Sequence, residues 1–152
     1  MRRVFALILL ALCSCTAGGV TPTTGGGANV TTVTKINVSL TAFGQQTTPA
    51  GTALGFSPEI TTVQVGTGVQ FVNVDSFAHT ASALSASAFP SVSPLTASAL
   101  SSSGGTLSGG FSSGTMQAGQ SSQVLLVDRA GTYLYGCFFH YSGNMRGMIV
   151  AQ

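Results

Sequence analysis

Tryptophan is absent from this 152-residue chain, histidine occurs twice, cysteine three times, and charged residues make up only 5% of the whole. So little charge leaves no basic stripe that could neutralise phosphates, and nucleic-acid binding is not expected. Long apolar runs are also missing beyond the first fifteen residues. There, MRRVFALILLALCSC carries an apolar stretch of about ten residues, too short for a membrane span and right for the core of an export signal. Two of the three cysteines, Cys13 and Cys15, fall in that leader. Cys137 is then alone in the folded part, which excludes a disulfide framework and requires another account of that thiol.

What remains is rich in Gly, Ser, Thr and Val, a balance that favours strands and turns over charge-paired surface helices and predicts an all-β domain. The length suits one domain. Arg2 and Arg3 belong to the leader, so Lys35, Arg129 and Arg146 stand against Glu59, Asp75 and Asp128 and the mature charge is near zero. Residues 1–15 are expected to direct export to the periplasm or cell surface. Within them Leu12-Cys13-Ser14-Cys15 resembles a bacterial lipobox, which would make Cys15 a lipidated mature N-terminus and anchor the protein to the membrane. Residues 16–32, TAGGVTPTTGGGANVTT, have little to bury and read as a flexible tether. Residues 33–152 form the domain.

Clean alternation begins the domain, with Ile36, Val38, Leu40 and Ala42 on one face and Lys35, Asn37, Ser39 and Thr41 on the other. Segments 60–65 and 69–74 are two further strands, and Gly66-Thr67-Gly68 between them predicts a tight hairpin. Residues 81–115 are Ser-, Ala- and Gly-rich with no convincing period, so they read as long loops with a short helix near 94–101. Segments 122–127, 132–137 and 147–151 are strands again, and Tyr133, Tyr135 and Cys137 share a face of the middle one. Strands joined by turns suggest a β-sandwich, whose end loops can bring His79 and the Cys137 loop together.

The chemistry lies in Cys137-x-x-His140-x-x-x-x-Met145, three soft or borderline ligands within nine residues. A trigonal copper site of two imidazoles and a thiolate with a long axial thioether needs such a set. A lone histidine at a strand end is usually structural, and a lone buried cysteine usually a small hydrophobe. Here both histidines and the single domain cysteine fall into one pattern. The text GTYLYGCFFHYSGNMRGMIV resembles the C-terminal ligand loop of plastocyanin-like cupredoxins, and FSPEITTVQVGTGVQFVNVDSFAHTAS resembles the strand pair leading to that family's first histidine. The order His, Cys, His, Met is part of the likeness, which covers about residues 33–152.

The resemblance implies a Greek-key β-sandwich holding one copper ion, Cu(I) or Cu(II), with His79 and His140 as imidazole ligands, Cys137 as thiolate and Met145 as axial ligand. Met148 is a rival for the last place, but Met145 has the family's five-residue step from the histidine. Two positions depart from the pattern. Phe139 stands where plastocyanins usually have proline, restoring a backbone N–H near the Cys137 sulfur. Thr80 follows the first histidine where asparagine is frequent, so the hydrogen bond between the ligand loops is expected to be weaker or rerouted.

By the same resemblance the protein is expected to be a monomeric one-electron carrier and not an enzyme, serving redox proteins of an extracytoplasmic chain. Two histidines are too few for the extra clusters of a multicopper oxidase or nitrite reductase. A copper carrier or buffer that never cycles the metal is the alternative. Phe138, Phe139 and Tyr141 around His140 are expected to form an apolar docking surface.

Overall fold

A computed structural model describes residues 30–152. The leader, Cys15 and all but the last three residues of the tether lie outside them. Twelve strands follow in chain order: β1 (Val33–Val38), β2 (Gln46–Thr48), β3 (Gly51–Ala53), β4 (Phe56–Ser57), β5 (Ile60–Val63), β6 (Gly68–Asn73), β7 (Ser82–Leu84), β8 (Ser102–Ser103), β9 (Ser112–Ser113), β10 (Leu125–Leu126), β11 (Gly131–Gly136) and β12 (Arg146–Ala151). One sheet has the order β10-β6-β1-β4, a second β5-β12-β11-β7-β9-β8, and β2 with β3 makes a small ribbon.

The two large sheets form a sandwich because each offers an apolar face that must leave water. Ile36 and Val38 of β1, Val69 and Phe71 of β6, Tyr135 of β11 and Ile149 of β12 meet in one buried cluster. Its centre is aromatic: the rings of Phe56 and Phe71 lie 4.9 Å and 5.0 Å from that of Tyr135, both edge to face. Such pairs add to area burial and restrict how the sheets can slide. The outer face of the larger sheet is covered too, with Ala50, Leu84, Leu134, Tyr141 and Met148 in a second cluster. This is why Leu134 and Tyr135, neighbours that point to opposite faces, are both buried.

Three sequence expectations change. The segments at 60–65 and 69–74 are strands but not a hairpin, since β5 pairs in parallel with β12 while β6 pairs in parallel with β1 in the other sheet. Gly66, at φ +90°, turns the chain from one layer to the other. Val63 and Val69 enter the same core from opposite sheets. The first strand ends at Val38, because Ser39 is buried and its hydroxyl is bonded to Asp75, while Ala42 faces solvent. Finally, 81–115 contains β7, β8 and β9 as well as a 3-10 turn at Ala97–Leu100 that falls within the expected helix. These strands are two or three residues long and serine-rich, so no period could show.

Candidate metal centre

Strand β11 ends at Gly136, and Cys137 follows it into the loop that leads to β12. That loop closes on itself. The Cys137 N–H donates to the Met145 carbonyl at 2.9 Å, and the Met145 N–H to the His140 carbonyl at 3.3 Å. A 3-10 turn at Tyr141–Gly143 ends at Asn144, whose left-handed φ of 67° reverses the chain toward Met145. Asparagine tolerates this conformation better than most residues. Gly136 must lack a side chain, because a Cβ there would lie 2.7 Å from the Tyr141 ring.

His79 arrives from the other side of the sandwich. Its backbone pairs with Met116 through reciprocal bonds of 3.0 and 2.8 Å, beyond the end of β6. Its Nδ1 lies 3.7 Å from the Cys137 sulfur, and His140 Nδ1 lies 3.6 Å from that sulfur on its other side. All three donor atoms are within 4.8 Å of one another. A trigonal ion at metal–sulfur and metal–nitrogen distances of about 2.3 and 2.0 Å would hold sulfur and nitrogen about 3.7 Å apart. The two sulfur–nitrogen distances therefore fit a single metal ion between these residues.

Protonation is consistent with this. Burial disfavours charge on both imidazoles and lowers the His79 and His140 pKa values, although a hydrogen bond to Asp75 partly opposes this at His79. Neutral imidazole is the form that binds metal. The His79 Nε2 faces Asp75 Oδ2 at 3.2 Å, so the proton sits on Nε2 and Nδ1 is left as the free lone pair. Burial also pushes the Cys137 thiol up, against N–H groups of Thr80, Phe139 and His140 directed at its sulfur. A cation between thiol and imidazoles would reverse that preference, since a coordinating thiol is deprotonated.

Met145 is fully buried in the same cluster as Cys137. Its side chain lies against Gly55, at φ +79°, where a Cβ would come within 2.9 Å of the Met145 Cγ and 3.5 Å of its sulfur. Met148 belongs instead to the cluster on the outer face.

Thr80 and Phe139 sit where the sequence suggested a changed environment. At Thr80, where a weaker or rerouted bond was expected, the hydroxyl accepts the Phe138 N–H at 2.8 Å and the backbone N–H points at the Cys137 sulfur at 3.4 Å. Threonine thus ties the two ligand loops together. The Phe139 N–H contributes a donor near that sulfur, as expected from the missing proline.

The expected docking surface needs correction. Phe139 is 43% exposed and Phe138 half-buried, but Tyr141 is only 1% exposed. Tyr141 turns inward, donating its hydroxyl to the Pro90 carbonyl at 3.0 Å beneath the Arg146 guanidinium, and offers no surface. Its place is taken by Phe77, 37% exposed, with its ring centroid 5.6 Å from that of His140 and 4.9 Å from that of His79. The only hint in the sequence was an aromatic residue two positions before the first histidine. Asp75 was likewise missed as part of the site.

The family model for copper-binding proteins of the plastocyanin/azurin family matches residues 44–152. Among solved structures, the chain is similar to a purple cupredoxin from Nitrosopumilus maritimus, with 22% identity and a TM-score of 0.51 over 78% of this chain and 98% of the other. It is also similar to an oxidised plastocyanin from Dryopteris crassirhizoma, with 22% identity and a TM-score of 0.47 over 78% and 100% of the two chains. No curated protein sequence matches it.

Proposed function

Because this chain belongs to the plastocyanin/azurin family of copper-binding proteins, we propose that it is a one-electron carrier whose single copper is held by His79, Cys137 and His140, with Met145 as the axial ligand. The convergence of one sulfur and two Nδ1 atoms, at 3.7 and 3.6 Å in a buried setting, carries this reading. Copper, when bound, supplies the change between Cu(I) and Cu(II); the protein supplies a geometry that need not alter with it. His79 is anchored by Met116 and Asp75, Cys137 by the Met145 carbonyl, and Thr80 couples the two loops. A framework held from four directions resists reorganisation, which favours rapid electron exchange over chemistry on a substrate.

His140 is the partly exposed ligand, with Phe77 and Phe139 against its ring and Phe138 packed on Phe139. This rim suits brief, small-area contacts with redox proteins. The leader and lipobox support export and attachment through Cys15 to the outside of a membrane. Fractionation of cells expressing the full chain tests this: wild type should pellet with membranes and Cys15→Ala should be released, whereas a soluble wild type would refute the anchor.

The central test is the copper-loaded protein. It should hold one copper per chain, show an intense thiolate-to-copper absorption that Cys137→Ser abolishes, and give a reversible one-electron wave. Retained colour in Cys137→Ser would overturn the ligand set. A stoichiometric copper complex with no reversible wave would favour a copper carrier or buffer.

A further inference from the structure

We propose that Asp75 is a positioning residue for His79 and, through that ligand, a fixed negative charge that biases the site toward Cu(II). The inference rests on the reading in which His79 binds the metal. The Asp75 side chain is 3% exposed and His79 is fully buried, so the contact between them is dry. Oδ2 faces His79 Nε2 at 3.2 Å and also accepts the Leu40 N–H at 2.8 Å and the Ser39 hydroxyl at 3.2 Å. Oδ1 accepts the Thr41 hydroxyl at 3.1 Å and the Ser76 N–H at 2.9 Å.

Those four further donors are all neutral. Among the described residues, the one ion-pairing partner recorded for this carboxylate is His79 itself. A carboxylate that only organised the turn after β1 would not need its charge, since neutral acceptors serve that purpose. Here the charge is enclosed, unmatched by any lysine or arginine, and directed at the outer nitrogen of an imidazole whose inner nitrogen faces the cysteine sulfur. A carboxylate accepting the outer N–H fixes the tautomer and makes the inner nitrogen a stronger donor. A stronger donor and a nearby negative charge both stabilise the more highly charged oxidation state. Asp75 itself is held by Asn73, whose Oδ1 accepts the Asp75 N–H at 2.9 Å while its amide donates to the Met116 carbonyl beside His79. Carboxylate, histidine and Met116 backbone are thereby locked as one unit.

The test is voltammetry on the copper-loaded full chain. Asp75→Asn should keep the thiolate absorption and raise the potential, with at least a tenfold loss of preference for Cu(II), or about 59 mV for one electron. Thr41→Ala removes a neutral donor without removing the charge, so its potential should stay level or fall while its stability drops. An unchanged potential in Asp75→Asn, or an equal rise in Thr41→Ala, would reduce Asp75 to a turn cap and overturn the proposal. Should Asp75→Asn fail to fold, the paired change Ser39→Ala with Thr41→Ala takes one neutral donor from each carboxylate oxygen, leaving its charge less shared and its bond to His79 stronger, and the potential must then fall; no change overturns the proposal. The diamagnetic Cu(I) form gives a second readout, a slowly exchanging His79 Nε2 proton in wild type whose resonance moves upfield in Asp75→Asn as its acceptor loses charge; an unmoved resonance overturns the proposal. Absence of the thiolate band in wild type would instead refute the ligand reading itself, a distinct failure.

Discussion

Met145 is buried in the same cluster as Cys137, while Met148 belongs to the outer-face cluster with Leu134 and Tyr141. Met145→Leu should therefore retain copper but raise the potential, because losing a weak axial donor disfavours Cu(II) more than Cu(I). A potential unchanged in Met145→Leu but shifted in Met148→Leu would move the axial role. Acid acts on the metal-free site through the histidines. Burial lowers both pKa values below their unfolded value of about 6.5. The unfolded chain then binds more protons as pH drops, so this share of stability is present above about pH 6.5 and is lost as pH falls through the depressed folded values. Asp75 and Asp128 behave differently. Asp75, despite burial, is held well below the usual range by bonds from Ser76, His79, Leu40 and Thr41, and Asp128 is lowered by Ser108. Their contribution persists down to about pH 4 and disappears below it. Urea unfolding of the metal-free domain should thus show a first loss as pH falls below about 6.5, smaller in His79→Gln; wild-type stability that stays level until the carboxylates titrate would contradict it.

The elements that carry ligands differ in how they are fastened. Strand β11 is paired along its length with β12 and on its other edge with β7, so Cys137 leaves the middle of a sheet. His79 lies outside the named strands and is held by a two-residue bridge to Met116 and by the Asp75 side chain, with Asn73 bonded to the same Met116 carbonyl. Met145 depends on the bend between β3 and β4, where Leu54 bridges to it and Gly55 leaves room for it. Gly55→Ala would place a Cβ on the Met145 side chain and force a left-handed conformation on alanine, a cost of about 1–3 kcal/mol. We expect a lower unfolding midpoint together with an altered copper spectrum, measured side by side. Gly44→Ala, where no atom lies within 4 Å of the new Cβ, serves as the control. A spectrum unchanged in Gly55→Ala would separate that glycine from the metal site.

At the scale of the whole molecule, three cations and three carboxylates in residues 33–152 leave little field to steer a partner from a distance. Beside His140 the surface exposes Phe139 and Phe77, not charge. Reduction by a partner or surrogate should accordingly vary little with ionic strength, and Phe139→Lys or Phe77→Lys should slow it while sparing the copper spectrum. Tyr141→Lys should act otherwise, lowering stability first, because that ring fills the outer cluster between Gly136 and Arg146. A steep fall in rate with added salt, with indifference to both phenylalanine changes, would place docking elsewhere.

The cluster of His79, Cys137 and His140 and the strands nearest to it were legible from the chain alone because their chemistry is local. Cys137, His140 and Met145 lie within one loop, a histidine pair in a two-histidine chain is conspicuous, and β11 and β12 are long enough to show a period. Folding alone decided what depends on distant partners. The valines of β5 and β6 look like two arms of a hairpin until each is seen to need a different sheet, and serine-rich β8 and β9 have no pattern apart from the neighbours they pair with. Tyr141 and Phe139 are two residues apart and equally apolar in the text, but Gly136, Pro90 and Arg146 close over the first and leave the second to solvent. Asp75 carries no mark in the sequence that separates it from Asp128. Its role comes from enclosure, which brings five donors from two segments, 39–41 and 76–79, onto one carboxylate and leaves its charge facing a histidine.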